Sequence, residues 1–123
     1  MSLTQWGYNG KTYELDLGDA DVAERYEKAF TILEEKEKQM PKDGTNSARI
    51  RAYVALFVEL YDLLFYRGAG REILPKDSIT YANQSYESFL EFANKQTEAA
   101  QNSIPDMLNK YSPNRAQRRG KSK

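Results

Sequence analysis

Cysteine and histidine are both absent from the 123 residues of this chain. The first absence excludes a disulfide framework, thiolate metal sites and a thiol nucleophile, and it suits a reducing cytoplasm. The second removes the commonest general base together with the commonest metal ligand, so the serines have nothing to activate them. There is no GxGxxG, no Walker loop and no GxSxG elbow, and Gly68-Ala69-Gly70 reads as a helix terminator rather than a phosphate cradle. Long hydrophobic runs are missing as well. The most apolar stretch is broken by Glu59 and Asp62 and falls short of the ~20 residues a membrane span requires. The start, MSLTQWGYNG, has neither the basic beginning nor the apolar run of a signal peptide. These gaps predict a soluble, unexported protein that is not an enzyme and holds no cofactor or metal.

Aromatic residues, by contrast, are plentiful: nine Tyr, five Phe and one Trp. They give one domain's worth of chain enough area to bury a core, which a charge-rich disordered segment lacks. Net charge is formally zero but unevenly placed. All eighteen acids and twelve of the eighteen bases lie at or before Asp106, leaving that part at −6; six bases without an acid give the end +6. An acidic body with a basic tail is therefore expected.

The stretch Arg49 to Tyr66, RIRAYVALFVELYDLLFY, organises the rest. On a helical wheel Arg51, Ala55, Glu59, Asp62 and Tyr66 share one polar stripe, and apolar residues fill the remaining arc of roughly 220°, about twice what a surface helix needs. Such a helix must be covered on more than one side. Its excess apolar surface has two readings, a monomeric core or a face for a partner or second subunit, and Tyr53, Phe57, Leu60, Tyr61 and Leu64 are the candidate residues for that face.

Residues 4–15 predict a β-hairpin, because Asn9-Gly10 is the strongest two-residue signal for a type I′ turn. The register pairs Tyr8 with Lys11, Trp6 with Tyr13 and Thr4 with Leu15, so Trp6, Tyr8, Tyr13 and Leu15 share a face. A lone hairpin is marginal in water, so that face either caps the bundle or adds to a partner's sheet edge. Helices are expected over 21–40, with Asp21 as N-cap and Glu24 in capping-box position; over 47–67, capped by Asn46 or Ser47; and over 78–104, ended or kinked by Pro105. Ile73 and Leu74 form a small apolar plug between the last two. The fold class is mainly α: a three-helix bundle with an N-terminal hairpin, residues 1–111, followed by a disordered basic tail, residues 112–123.

Two charged features could carry function. Glu59 and Asp62 lie three apart on one helical face, the spacing of an acid and base or of oxygen ligands for a hard cation, although that face is also the natural place for solvated acids. The basic tail has the composition to neutralise phosphates, with Tyr111 alone available to stack a base, and equally the composition to hold an acidic protein surface.

Taken together, the hairpin YNGKTYELDL, the acidic first helix, the helix RAYVALFVELYDLLF ending at glycine, the helix YESFLEFANKQ and the terminal SPNRAQRR resemble small proteins of phages and prophages of Gram-positive bacteria, the tail assembly chaperones of long-tailed phages. The resemblance implies a non-enzymatic assembly factor of the host cytoplasm, absent from the mature virion. Its implied partners are the tape-measure protein, whose apolar helices it keeps from aggregating, and the tail-tube protein, whose polymerisation it assists. It also implies an interaction role for Asn114, Arg115, Gln117, Arg118 and Arg119, and a longer frameshifted form in many such systems. Alternatives of other classes are a nucleic-acid-binding or regulatory protein acting through the tail, and a structural component of the virion.

Overall fold

The computed structural model describes the backbone of residues 2–111 and the side chains of residues 2–103. Strands β1 (Gln5–Tyr8) and β2 (Lys11–Glu14) form an antiparallel hairpin; helices α1 (Ala20–Lys38), α2 (Asn46–Leu64), α3 (Ala69–Ile73) and α4 (Ile79–Tyr111) follow. Asn9 and Gly10 turn the hairpin with φ of 51° and 75°, the left-handed pair a type I′ turn needs. The register is the expected one: Trp6 faces Tyr13 and Tyr8 faces Lys11, and the Leu15 amide donates to the Thr4 carbonyl at 2.8 Å.

The aromatic face of the hairpin covers the bundle. Trp6 and Tyr13 are buried, and the Trp6 ring stacks near Tyr8 and Phe65 and meets Phe89 edge-on at 5.4 Å. Its indole Nε1 donates to Ser88 Oγ of α4 at 3.0 Å, so the one polar atom of the ring is satisfied as it is buried. Gln96, also buried on α4, completes the attachment. Its Nε2 donates to the carbonyls of Leu15 at 2.8 Å and Leu3 at 3.2 Å, while its Oε1 accepts from the Leu17 amide. An N–H on one side and two carbonyls on the other determine which way this amide points.

Helix α2 is central, as its wide apolar arc requires. Leu56 and Leu60 meet α1; Phe57 and Tyr61 meet Tyr86 and Phe89 of α4; Phe65, just past its end, meets Tyr13 of the hairpin. The Tyr61 hydroxyl is buried with Ser85. Because Ser85 Oγ donates to the Ala82 carbonyl, the 2.8 Å contact with Tyr61 is a bond that Tyr61 donates.

The element ends differ from expectation for physical reasons. Helix α1 is capped by Asp19, whose carboxylate accepts from the amides of Asp21 and Val22, so it starts earlier than an Asp21 cap would have it and ends at Lys38 rather than residue 40. Thr45, not Asn46 or Ser47, caps α2 through the Ala48 amide, and α2 stops at Leu64 instead of residue 67. Between the expected second and third long helices stands a fourth, the single turn α3. Asp62 holds it, accepting from the amides of Gly68 at 3.2 Å and Gly70 at 2.7 Å. Gly70 lies so close to α2 that a Cβ there would be 2.7 Å from the Val58 Cα and carbonyl carbon. The plug is real: Ile73 and Leu74 are both buried. Helix α4 continues through Pro105 to Tyr111. The bond a proline forfeits there is the one to the carbonyl of Gln101, a residue exposed to solvent.

Candidate functional site

Helices α1 and α2 run antiparallel, joined by a short turn, and their outer faces leave a groove that no other described element covers. It opens as a depression of about 450 Å³ floored by Ala29, Ile32 and Leu63 and walled by Glu24, Arg25 and Lys28. Beyond it the two helices close, and under the Lys36–Glu59 pair Leu33, Leu56 and Leu60 are packed with no space left between them. The pattern of α1 explains the floor. Ala29 and Leu33 point inward, Ile32 sits between them at the margin, and Leu63 on α2 is 37% exposed opposite it. The rims are held by ion pairs: Lys36 to Glu59 at 2.5 Å across the two helices, and Glu24 to Lys28 at 3.0 Å along α1. Arg25 closes one end, donating from its guanidinium to the Leu64 carbonyl at 3.0 Å, where a cation offsets the exposed carbonyls of a helix terminus. The result is an open, apolar-floored depression with charged edges, which suits the apolar side chains of an amphipathic partner.

The residues singled out from sequence fall elsewhere. Leu60, Tyr61 and Leu64 are at most 1% exposed and Phe57 is 6% exposed, while Tyr53 is half-buried with its hydroxyl on Asn83. The expected apolar face is therefore this chain's own core, because α4 and the hairpin cover that side of α2. Glu59 and Asp62 do not converge on anything. One pairs with Lys36 and the other caps α3, and among the described residues no group of acids gathers as metal ligands would. Asn114, Arg115, Gln117, Arg118 and Arg119 lie outside the described residues.

A cluster of perturbed ionisable groups surrounds Glu72. Its carboxylate accepts from the hydroxyls of Tyr66 and Tyr13, the latter at 3.2 Å, and pairs with Lys11 at 3.4 Å. The Tyr66 bond and then the Lys11 charge hold this carboxyl below its ordinary range, and burial followed by the Glu72 bond pushes Tyr13 up to about 12. The cluster ties the hairpin turn to α3. Both tyrosine hydroxyls are spent on the Glu72 carboxylate.

A family model described as "Family of unknown function (DUF6673)" matches residues 9–122. The chain belongs to this DUF6673 family. The matched stretch takes in the hairpin turn, β2, all four helices and the basic C-terminal segment. Neither the curated proteins nor the solved structures contain a match. No described helix is long and apolar enough to cross a membrane.

Sequence reasoning missed the half-buried Ile32 and the exposed Leu63 as the apolar pair at the groove, and Ser85 and Gln96 as buried polar residues. Leu63 lies within the apolar arc, at the edge of the polar stripe beside Glu59, and that adjacency was the available signal. Gln96, seven residues after Phe89 and three after Ala93, stands on the buried face by its spacing, and only its amide argued against burial.

Proposed function

We propose that this chain is a non-enzymatic protein-binding factor that holds an amphipathic helix of its partner in the α1–α2 groove, and that it serves as a tail assembly chaperone of a phage or prophage. The observation that supports the reading is the groove: an open apolar floor of Ala29, Ile32 and Leu63 between charged rims, on a body that closes the rest of the central helix's apolar arc. The tail-assembly assignment rests on the resemblance described above. A tape-measure protein made of long apolar helices is a client of the right chemistry for such a depression. On this reading the protein acts in the host cytoplasm and leaves before the virion is complete, and the basic C-terminal segment adds a charged contact to the tape-measure or tail-tube protein.

Co-expression with the tape-measure product of the same genome tests this. The client becomes more soluble and co-purifies with the parent chain, and Leu63→Glu, at a site exposed enough to leave the fold intact, removes both effects. Unchanged client solubility with no co-purification overturns the proposal. So does retention of duplex DNA by the full chain, at low salt, in place of the client.

A further inference from the structure

Helices α1 and α4 each pack on α2, and aromatic side chains bridge the gap between them. The Tyr26 ring of α1 lies 6.3 Å from Phe89 of α4, and the Phe30 ring lies 6.4 Å from Tyr86. Phe57 of α2 floors the seam, 5.0 Å from Tyr86 and 5.1 Å from Tyr53. Phe57 is buried, whereas Tyr26, Phe30, Tyr53 and Tyr86 are each half-buried, so the seam shows solvent a strip of four rings. The hairpin meets α4 further along, at Ser88 and Gln96. The strip is also separate from the α1–α2 groove, since Ile32 lies about 200° round α1 from Phe30.

Charge indicates what the strip takes. Glu37 shares the Phe30 side of α1, and its carboxylate is felt by two of the rings. Burial first and then the Glu37 charge raise the Tyr53 hydroxyl; burial, Tyr26 and then Glu37 raise that of Tyr86. Among the described residues no base pairs with Glu37. The paired lysines of α1 are turned to other acids, Lys28 to Glu24 and Lys36 to Glu59, and Lys38 points about 80° round the helix from Phe30. The Tyr53 hydroxyl is bonded to Asn83 at 2.6 Å, while those of Tyr26 and Tyr86 have no partner among the described residues. A carboxylate beside open ring surface suits a cation that is flat and weakly hydrated. A guanidinium stacks on aromatic rings and takes a carboxylate through two parallel hydrogen bonds, whereas an ammonium holds its water more tightly.

We infer that the α1–α4 seam is a second docking surface, which takes an arginine side chain from a basic segment of a partner protein, its guanidinium laid on the Phe30 and Tyr86 rings and paired with Glu37. The acidic balance of the body draws such a segment in, and the rings select arginine over lysine once it arrives. This surface does not involve Leu63 or Ile32, so it stands or falls separately from binding in the groove.

Nuclear magnetic resonance of the aromatic side chains tests this, with the full chain titrated by a short peptide of alternating arginine and alanine. The ring signals of Tyr26, Phe30, Tyr53 and Tyr86 shift and saturate. The same peptide with lysine binds at least about threefold more weakly, the worth of a ring contact that lysine makes less well, and the peptide with uncharged citrulline does not bind. Glu37→Lys, at an exposed position, keeps the parent's thermal midpoint and loses the arginine peptide. Leu63→Glu keeps it. No saturating shift at the four rings overturns the inference. So does equal affinity for the arginine and lysine peptides, which is attraction to the acidic body alone, or binding that survives Glu37→Lys. Loss of the arginine peptide in Leu63→Glu overturns it too, because the peptide then sits in the groove.

Discussion

Replacing Gln96 tests how the hairpin is held. In Gln96→Ala three backbone groups lose their partners: the Leu15 carbonyl, which is buried, and the Leu3 carbonyl and Leu17 amide, which are partly exposed. An unpaired buried group costs about 1–3 kcal/mol, whereas groups that water reaches recover most of their bonding and cost about 0.5 kcal/mol each. Before any cost of the cavity left by the shortened side chain, the loss comes to roughly 2–4 kcal/mol, or a fall in Tm of about 8–16 °C for a body of this size. Gln96→Leu keeps the bulk and loses only the hydrogen bonds, so it falls between Gln96→Ala and the parent. The assays are urea unfolding, read against the parent, and amide hydrogen exchange of β1 and β2. Exchange there accelerates in both variants before the helices open, because the hairpin is released first. If both variants stay within about 0.5 kcal/mol of the parent, the hairpin is held by its aromatic face alone and the reasoning fails.

Three further outcomes follow from the packing and ionisation of the core. Gly70→Ala raises helix propensity in α3 yet destabilises by about 1–3 kcal/mol, since the new Cβ meets α2 backbone that has nowhere to move; a raised thermal midpoint would contradict this. Ser85→Ala costs more than Tyr61→Phe, because the first leaves the buried Tyr61 hydroxyl without its acceptor and the second leaves Ser85 bonded to Ala82; calorimetry of both variants and of the pair shows the order. Tyr13, pushed up to about 12, has a folded pKa above its unfolded value near 10. It therefore contributes stability that is complete below about pH 10 and is lost as pH rises from there through 12, so urea midpoints fall over that window and Tyr13→Phe reduces the fall. A midpoint that stays flat to pH 12 would refute the assignment.

Much of the architecture was legible because local chemistry and global packing agree. Asn9-Gly10 admits one turn type, and with it one register, so the order of residues alone assigns Trp6 and Tyr13 to the buried face of the hairpin. The apolar arc of α2 was too wide for one neighbour, and α1, α3, α4 and the hairpin all meet it. Caps were less legible because Asp19 stands beside Asp21, and Thr45 beside Asn46 and Ser47. Equivalent side chains compete there, and the winner depends on how the chain enters the helix. The turn α3 is too short to show a period, and it exists because the Asp62 carboxylate reaches past the end of α2 to the amides of Gly68 and Gly70. The candidate site was the least legible part. Which sector of the α2 arc stays open is decided by where α1 and α4 come to rest, and that is a property of the assembled body. Thus Leu60, Tyr61 and Leu64 went inside while Leu63, their sequence neighbour, stayed at the groove.

The claim that the α1–α2 groove takes a helical partner is tested most directly by nuclear magnetic resonance of the full chain, titrated with a synthetic amphipathic segment of the tape-measure protein. The account predicts amide shifts concentrated at Ala29, Ile32 and Leu63, saturating with peptide and absent in Leu63→Glu. No shifts, or shifts that leave those three residues unmoved and survive in Leu63→Glu, contradict it.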